Sequence, residues 1–162
     1  MSIKEQVGEE NWKYLFNAMS AASSFVSIAS GGGTESIKEL FSASKFTQEL
    51  SQKEGGSGYG ELVDEVLESM KNMAMKDAKE MAIKYESKTV EELRNELKIL
   101  ISNAVSASTG LPGEDGFKRW LFEISRKVAE TKTGGFLGIG AKSVVDEQEQ
   151  AAMDELAVLL GL

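Results

Sequence analysis

The side chains that could do chemistry in this chain are its carboxylates, lysines and tyrosines, because it contains neither histidine nor cysteine. That absence removes the Ser-His-Asp triad, thiol nucleophiles, disulfides and Cys/His zinc sites. It also removes the ordinary general base near neutral pH and the Glu-x-x-His pairs of di-iron bundles. Residues 135–143 read Gly-Phe-Leu-Gly-Ile-Gly-Ala-Lys-Ser, one residue from a P-loop, because Ala141 precedes Lys142. A P-loop needs a strand, a nest of amides and a helix starting at the lysine. Here a helix is expected before the loop, and the next one starts later, near Asp146, whose carboxylate repels phosphate. Nucleotide binding is not expected, and Gly138-Ile139-Gly140 is not a dinucleotide fingerprint, since no strand leads into it.

Other constellations fail on spacing. Placing Gly116 at the invariant glycine of a calcium loop puts Leu111 and Phe122 where an aspartate and a bidentate glutamate belong. Asp115 is expected to be a helix cap instead. Met70, Met73, Met75 and Met81 fall at helical spacing and suit adaptable core filling. Without cysteine or histidine they make a poor soft-metal site. The adjacent acids Asp64-Glu65 and Glu91-Glu92 do not face one another on a helix. No catalytic residue, cofactor or metal is assigned, and the chain is expected not to be an enzyme.

The elements that position these residues are marked by glycine. The 16 glycines gather in clusters, and the segments between them are glycine-free, as helices with glycine-marked ends would be. Over 10–30, Trp12, Leu15, Phe16, Met19, Ala22 and Val26 form one stripe while Ala18, Ala21, Phe25 and Ile28 cover the other side. A helix apolar all round is central or faces a partner. A weaker helix follows Thr34, with Ser36 and Glu39 at capping-box spacing, and ends in a glycine-rich connector over 54–60. A long helical stripe covers 61–85. Thr89 and Glu92 open the clearest amphipathic helix, with Val90, Leu93, Leu97, Leu100, Ile101, Ala104 and Val105 on one face. A fifth helix is expected over 117–130 and a last one after Asp146, with Glu149 completing its capping box and Ala152, Met153, Leu156, Leu159 and Leu160 inward. No convincing strand is present.

The unusual stretch is the loop before that last helix. Gly134, Gly135, Gly138 and Gly140 are interleaved with Phe136, Leu137 and Ile139. Loops are ordinarily polar, so these side chains call for a cover: the chain's own core, a second copy, a ligand or a membrane. From 117 to 142 the basic residues Lys118, Arg119, Arg126, Lys127, Lys132 and Lys142 outnumber Glu123 and Glu130, a local charge of 6 − 2 = +4 in a chain of net charge −8. A basic helix ending in an oily loop could rest on an anionic membrane or on the acidic face of a second copy. The acidic balance of the whole chain argues against nucleic acid.

Over 118–162 the chain resembles a known pattern. Lys118-Arg-Trp-Leu, Val128-Ala-Glu, Gly134-Gly-Phe-Leu-Gly-Ile-Gly and Leu156-Ala-Val-Leu-Leu-Gly-Leu resemble a prokaryotic family of small all-helical proteins with a Gly-Gly-Phe-Leu-Gly-x-Gly loop between two C-terminal helices. That resemblance implies a helical fold and no particular activity. The helix, loop, capped helix and Leu-Gly-Leu ending are also similar to the close of tellurite-resistance TerB-like domains. Those carry a short acidic Asp-Gly turn at this loop, which this chain lacks, so no metal ligand carries over.

The expectation is an all-α protein, a single domain over 1–162 of about six helices in orthogonal or irregular packing, with Trp12, Leu97, Trp120, Ile124 and Leu156 in the core. The first residues are polar and no apolar run reaches the span of a membrane helix, so a cytoplasmic protein is expected. The expected function is non-enzymatic interaction, with the chain itself as partner (a homo-oligomer) through apolar surface near 134–140 or the first helix. The expected contact residues are Phe136, Leu137, Ile139, Arg126, Lys127 and Lys132. The alternative is peripheral binding to an anionic membrane or an apolar ligand through the Phe136 loop and the basic helix.

Overall fold

The computed structural model describes residues 1–30, 58–135 and 147–162, with the backbone alone at 30 and over 131–135. Among these residues there are six α-helices and no strand. They are α1 (Ile3–Ser27, followed by a 3-10 turn, Ile28–Ser30), α2 (Glu61–Asn72), α3 (Met75–Met81), α4 (Val90–Ser108), α5 (Glu114–Gly135) and α6 (Glu147–Leu160). The fold is all-α, as expected. The helix expected after Thr34, and Phe136, Leu137, Ile139, Lys142 and Asp146, lie outside the described residues.

The first helix is central. It packs most extensively on α4 and α5 and also touches α2, α3 and α6. Trp12, Leu15, Ala18, Met19, Ala21, Ala22, Phe25 and Val26 are all buried, so its all-round apolar surface is used inside the subunit. Each large side chain among them contributes about 1.5–3 kcal/mol by leaving water. Leu97, Trp120, Ile124 and Leu156 join them in one core cluster. The helix also starts earlier than its apolar stripe suggests. Ser2 and Glu5 form a capping box, and Gly8 (φ 79°) breaks the helix after its first turns. Glu65 on α2 completes the start: its two carboxylate oxygens accept from the N–H groups of Ile3 and Lys4, each at 2.9 Å. Those are orphan donors at the positive end of a helix, where a carboxylate is stabilising.

The long helix expected over 61–85 is interrupted. Met73 and Ala74 are extended, α3 occupies only seven residues, and none of them is buried. Beyond Met81 the chain runs on without helix to Thr89, with Met81, Ile83, Tyr85 and Ser87 half-buried and Ala82, Lys84, Glu86 and Lys88 exposed. That is the period of an extended strap lying on the core, not of a helix. Of the four methionines, Met70 is in the core, Met73 and Met81 are half-buried, and Met75 is 80% exposed.

Helix α4 starts as expected: the Thr89 hydroxyl accepts from the Glu92 N–H at 3.2 Å. The Glu92 carboxylate reaches one residue further back than a capping box requires and accepts from the Lys88 N–H at 2.8 Å. Helix α5 begins at Glu114, three residues before the expected start at Phe117, so Asp115 is inside the helix and is not its cap. The Glu114 carboxylate instead reaches back to the Gly110 N–H at 2.8 Å and pairs with Lys118 one turn on. At the far end α5 runs through Gly134 and Gly135, which are helical and not part of a loop.

Three glycines that look like punctuation are a contact. A Cβ on Gly116 would overlap the Tyr59 carbonyl group. A Cβ on Gly60 would lie 3.1 Å from the Gly113 Cα, and one on Gly113 would lie 3.1 Å from the Glu61 nitrogen. The backbone entering α2 therefore rests directly on the backbone entering α5. Helix α6 closes with a Schellman pair, Leu162 N–H to Ala157 C=O at 3.0 Å and Gly161 N–H to Val158 C=O at 3.1 Å.

Candidate interaction surface

The expected contact residues divide. Phe136, Leu137 and Ile139 lie outside the described residues, as does the side chain of Lys132. Arg126 and Lys127 are on α5. Arg126 is exposed and pairs on its own helix, with Glu123 one turn before and with Glu130 at 3.8 Å one turn after. The earlier start of α5 also brings in Glu114 and Asp115. Over 114–135 the helix carries five basic residues (Lys118, Arg119, Arg126, Lys127, Lys132) against four acidic ones (Glu114, Asp115, Glu123, Glu130). The basic surplus over the described helix is then one charge, and Lys142, the sixth basic residue of the expected segment, lies outside the described residues.

The strongest charge cluster joins α4 to α6. Glu155 accepts from both Arg94 and Lys98, which stand one turn apart on α4. The Arg94 guanidinium also lies 4.5 Å from the centre of the Phe25 ring, so one side chain touches α1, α4 and α6. The Lys98 hydrogen bond, followed by the charge of Arg94, holds the Glu155 carboxyl below the usual carboxylate range. All three side chains are about one third exposed, and the two cations share one carboxylate. This is a clamp between helices, with nothing arranged to transfer a proton.

Of two hollows among the described residues, the larger, about 840 Å³, lies between α1, α2 and α3. Its lining mixes Lys4 and Lys13 with Glu9, Glu10, Asp77 and Glu80 above a floor that includes Met73 and Met81. The smaller, about 350 Å³, separates α1 from α4, and Glu10 is its sole charged lining residue beside Asn11, Tyr14, Asn103 and Ser106. No group of three or more metal-ligating side chains converges among the described residues.

Among the described residues the exposed large apolar side chains are Met1, Met75 on α3, Ile99 on α4, Val158 on α6 and Leu162 beyond it. Val158 is 77% exposed, Ile99 62% and Leu162 54%. Ala151, also exposed, precedes Val158 by two helical turns with the charged Asp154 between them, and Leu162 is exposed beyond the end of the helix.

The strap over 82–88 is fixed at both ends. The Asn17 side-chain amide donates to the Met81 carbonyl at 2.9 Å and to the Lys13 carbonyl at 2.8 Å. At the other end the Ser87 hydroxyl donates to Glu96, and the Lys88 N–H donates to Glu92. Tyr85 faces inward between them, and burial, then the Glu96 charge, pushes its phenol up to about 12. Over 83–86 no backbone N–H or C=O takes part in a hydrogen bond among the described residues.

No protein-family model, curated protein or solved structure matches the chain. What can be said of its activity therefore comes from its own residues. No described helix is long and apolar enough to cross a membrane.

Proposed function

We propose that this is a non-enzymatic helical interaction protein that associates with itself. The observation that carries the reading is the exposed apolar surface at the end of α6, where Val158 is 77% exposed and Leu162, beyond the helix, 54%. Val158 stands outside the face on which α6 buries Ala152, Met153, Leu156 and Leu160, so the fold of the subunit leaves it uncovered. The same helix follows the segment that holds Phe136, Leu137 and Ile139, so the apolar surplus of the sequence and that of the structure are close along the chain. The first helix, the other expected contact, is covered by its own subunit and is set aside. The near-neutral charge of α5 supports a protein partner over an anionic membrane.

Multi-angle light scattering over a wide concentration range tests this. A mass that rises to a dimer or higher, and that falls for Val158→Glu or Phe136→Asp with unchanged circular dichroism, is expected. A monomer at the highest concentration reached would overturn it.

A further inference from the structure

The strap over 82–88 combines three features. Its side chains alternate, with Ile83 and Tyr85 inward and Lys84 and Glu86 outward. Its ends are pinned, by Asn17 on one side and by Glu92 and Glu96 on the other. Between the pins, the backbone of 83–86 makes no hydrogen bond among the described residues. A half-buried extended segment with unused backbone donors and acceptors is what a strand edge offers to a second strand. Such edges are ordinarily blocked by charged side chains, commonly lysine. Here the outward charges alternate in sign, which blocks some partners and suits others.

We propose that two copies of this chain pair antiparallel along 82–88, centred on Tyr85. The proposal rests on the self-association argued above and adds a contact of its own. The charges choose the partner and the register. In an antiparallel pair centred on residue 85, position 84 of one copy stands opposite position 86 of the other. Lys84 then faces Glu86 twice, once on each side of the two-fold axis. Shifting the centre to 84 sets lysine against lysine, and shifting it to 86 sets glutamate against glutamate. Centring on 87 restores an opposite pair, Glu86 with Lys88, but runs the strand into the start of α4 at Val90. The register on Tyr85 is thus the one that matches charge and keeps the whole strap paired.

The test is a mixing experiment on the full chain, read by sedimentation velocity. Lys84→Glu places like charges across both pairs, and so does Glu86→Lys. Each variant alone is expected to dimerise about tenfold more weakly than the wild type. An equimolar mixture of the two restores opposite charges across both pairs and is expected to recover wild-type association. Both positions are exposed, and circular dichroism checks that the variants fold. Hydrogen exchange adds a second readout: the 83–86 amides should gain protection as concentration rises. If the wild type dimerises, the charge variants dimerise equally and Phe136→Asp or Val158→Glu abolishes the dimer, this inference fails and self-association stands. A mixture that stays as weak as its components also overturns it. A monomeric wild type overturns both.

Discussion

Replacing Gly116 with alanine sets two physical effects against each other. Gly116 is the third residue of α5, where alanine should stabilise an ordinary helix by about 1 kcal/mol. The structure predicts the opposite sign. A Cβ at Gly116 would sit 2.5 Å from the Tyr59 carbonyl carbon, while carbon atoms in contact rest about 3.5–4.0 Å apart. The Tyr59 backbone must therefore retreat by about 1 Å or more. It cannot retreat alone, because the next residue, Gly60, lies against Gly113, and Glu61 begins α2. The displacement lifts the start of α2, where Leu62 and Val63 are fully buried. Overpacking of this kind costs about 1–3 kcal/mol, and partial loss of the Leu62 and Val63 contacts adds to it. We expect Gly116→Ala to lose about 3 kcal/mol in urea unfolding followed by circular dichroism. Gly8→Ala is the control. Its Cβ would meet nothing, so it bears only the cost of a backbone conformation that glycine alone adopts readily (φ 79°, ψ 168°), about 1–3 kcal/mol. A Gly116→Ala protein as stable as the wild type would refute the claim that these backbones touch.

Three further outcomes follow from the same contacts. Glu65→Ala should cost about 1–2 kcal/mol by freeing the Ile3 and Lys4 donors, with hydrogen exchange rising over 3–7 and unchanged in α4; uniform exchange would argue against a local cap. Glu155→Gln should cost about 1 kcal/mol at neutral pH, since the clamp is partly solvated. Because the folded carboxyl is held below its unfolded value, that advantage is present above the ordinary carboxylate pKa and disappears as pH falls through the folded one, so the wild-type and variant urea midpoints should converge in acid. Asn17→Ala should speed exchange at α3 and its junction with the strap by roughly 2–10-fold, the effect of one net hydrogen bond, and leave α2 unchanged.

What could be read from the sequence was local and periodic. The all-round apolar face of α1 announced a central helix, Thr89 marked the start of α4, and Gly161 marked the end of α6, because each signal lies within a few residues of its effect. The strap was missed because Met81, Ala82 and Tyr85 also match a helical spacing over so short a run. The inward set Met81, Ile83, Tyr85 and Ser87, with Lys84, Glu86 and Lys88 between, was the period-two signal that could have found it. The roles of Gly116 and Glu65 were not legible, since each depends on a partner more than 50 residues away. The local charge of +4 belongs to 117–142; the helix at 114–135 adds Glu114 and Asp115 to the count and leaves out Lys142. Of the expected contact residues, Arg126 is paired on its own helix with Glu123 and Glu130.

The central position of α1 bears on how the protein is made. This helix is near the start of the sequence, yet among the described residues most of its cover comes from α4 and α5, which begin at Val90 and Glu114. At translation speeds of about 5–20 residues per second, an oily helix waits roughly 5–20 s for those segments to emerge. During that interval the nascent chain depends on whatever shields apolar surface at the ribosome. A stalled or shortened product ending before Val90 would carry Trp12, Leu15 and Phe25 without α4 or α5 to cover them.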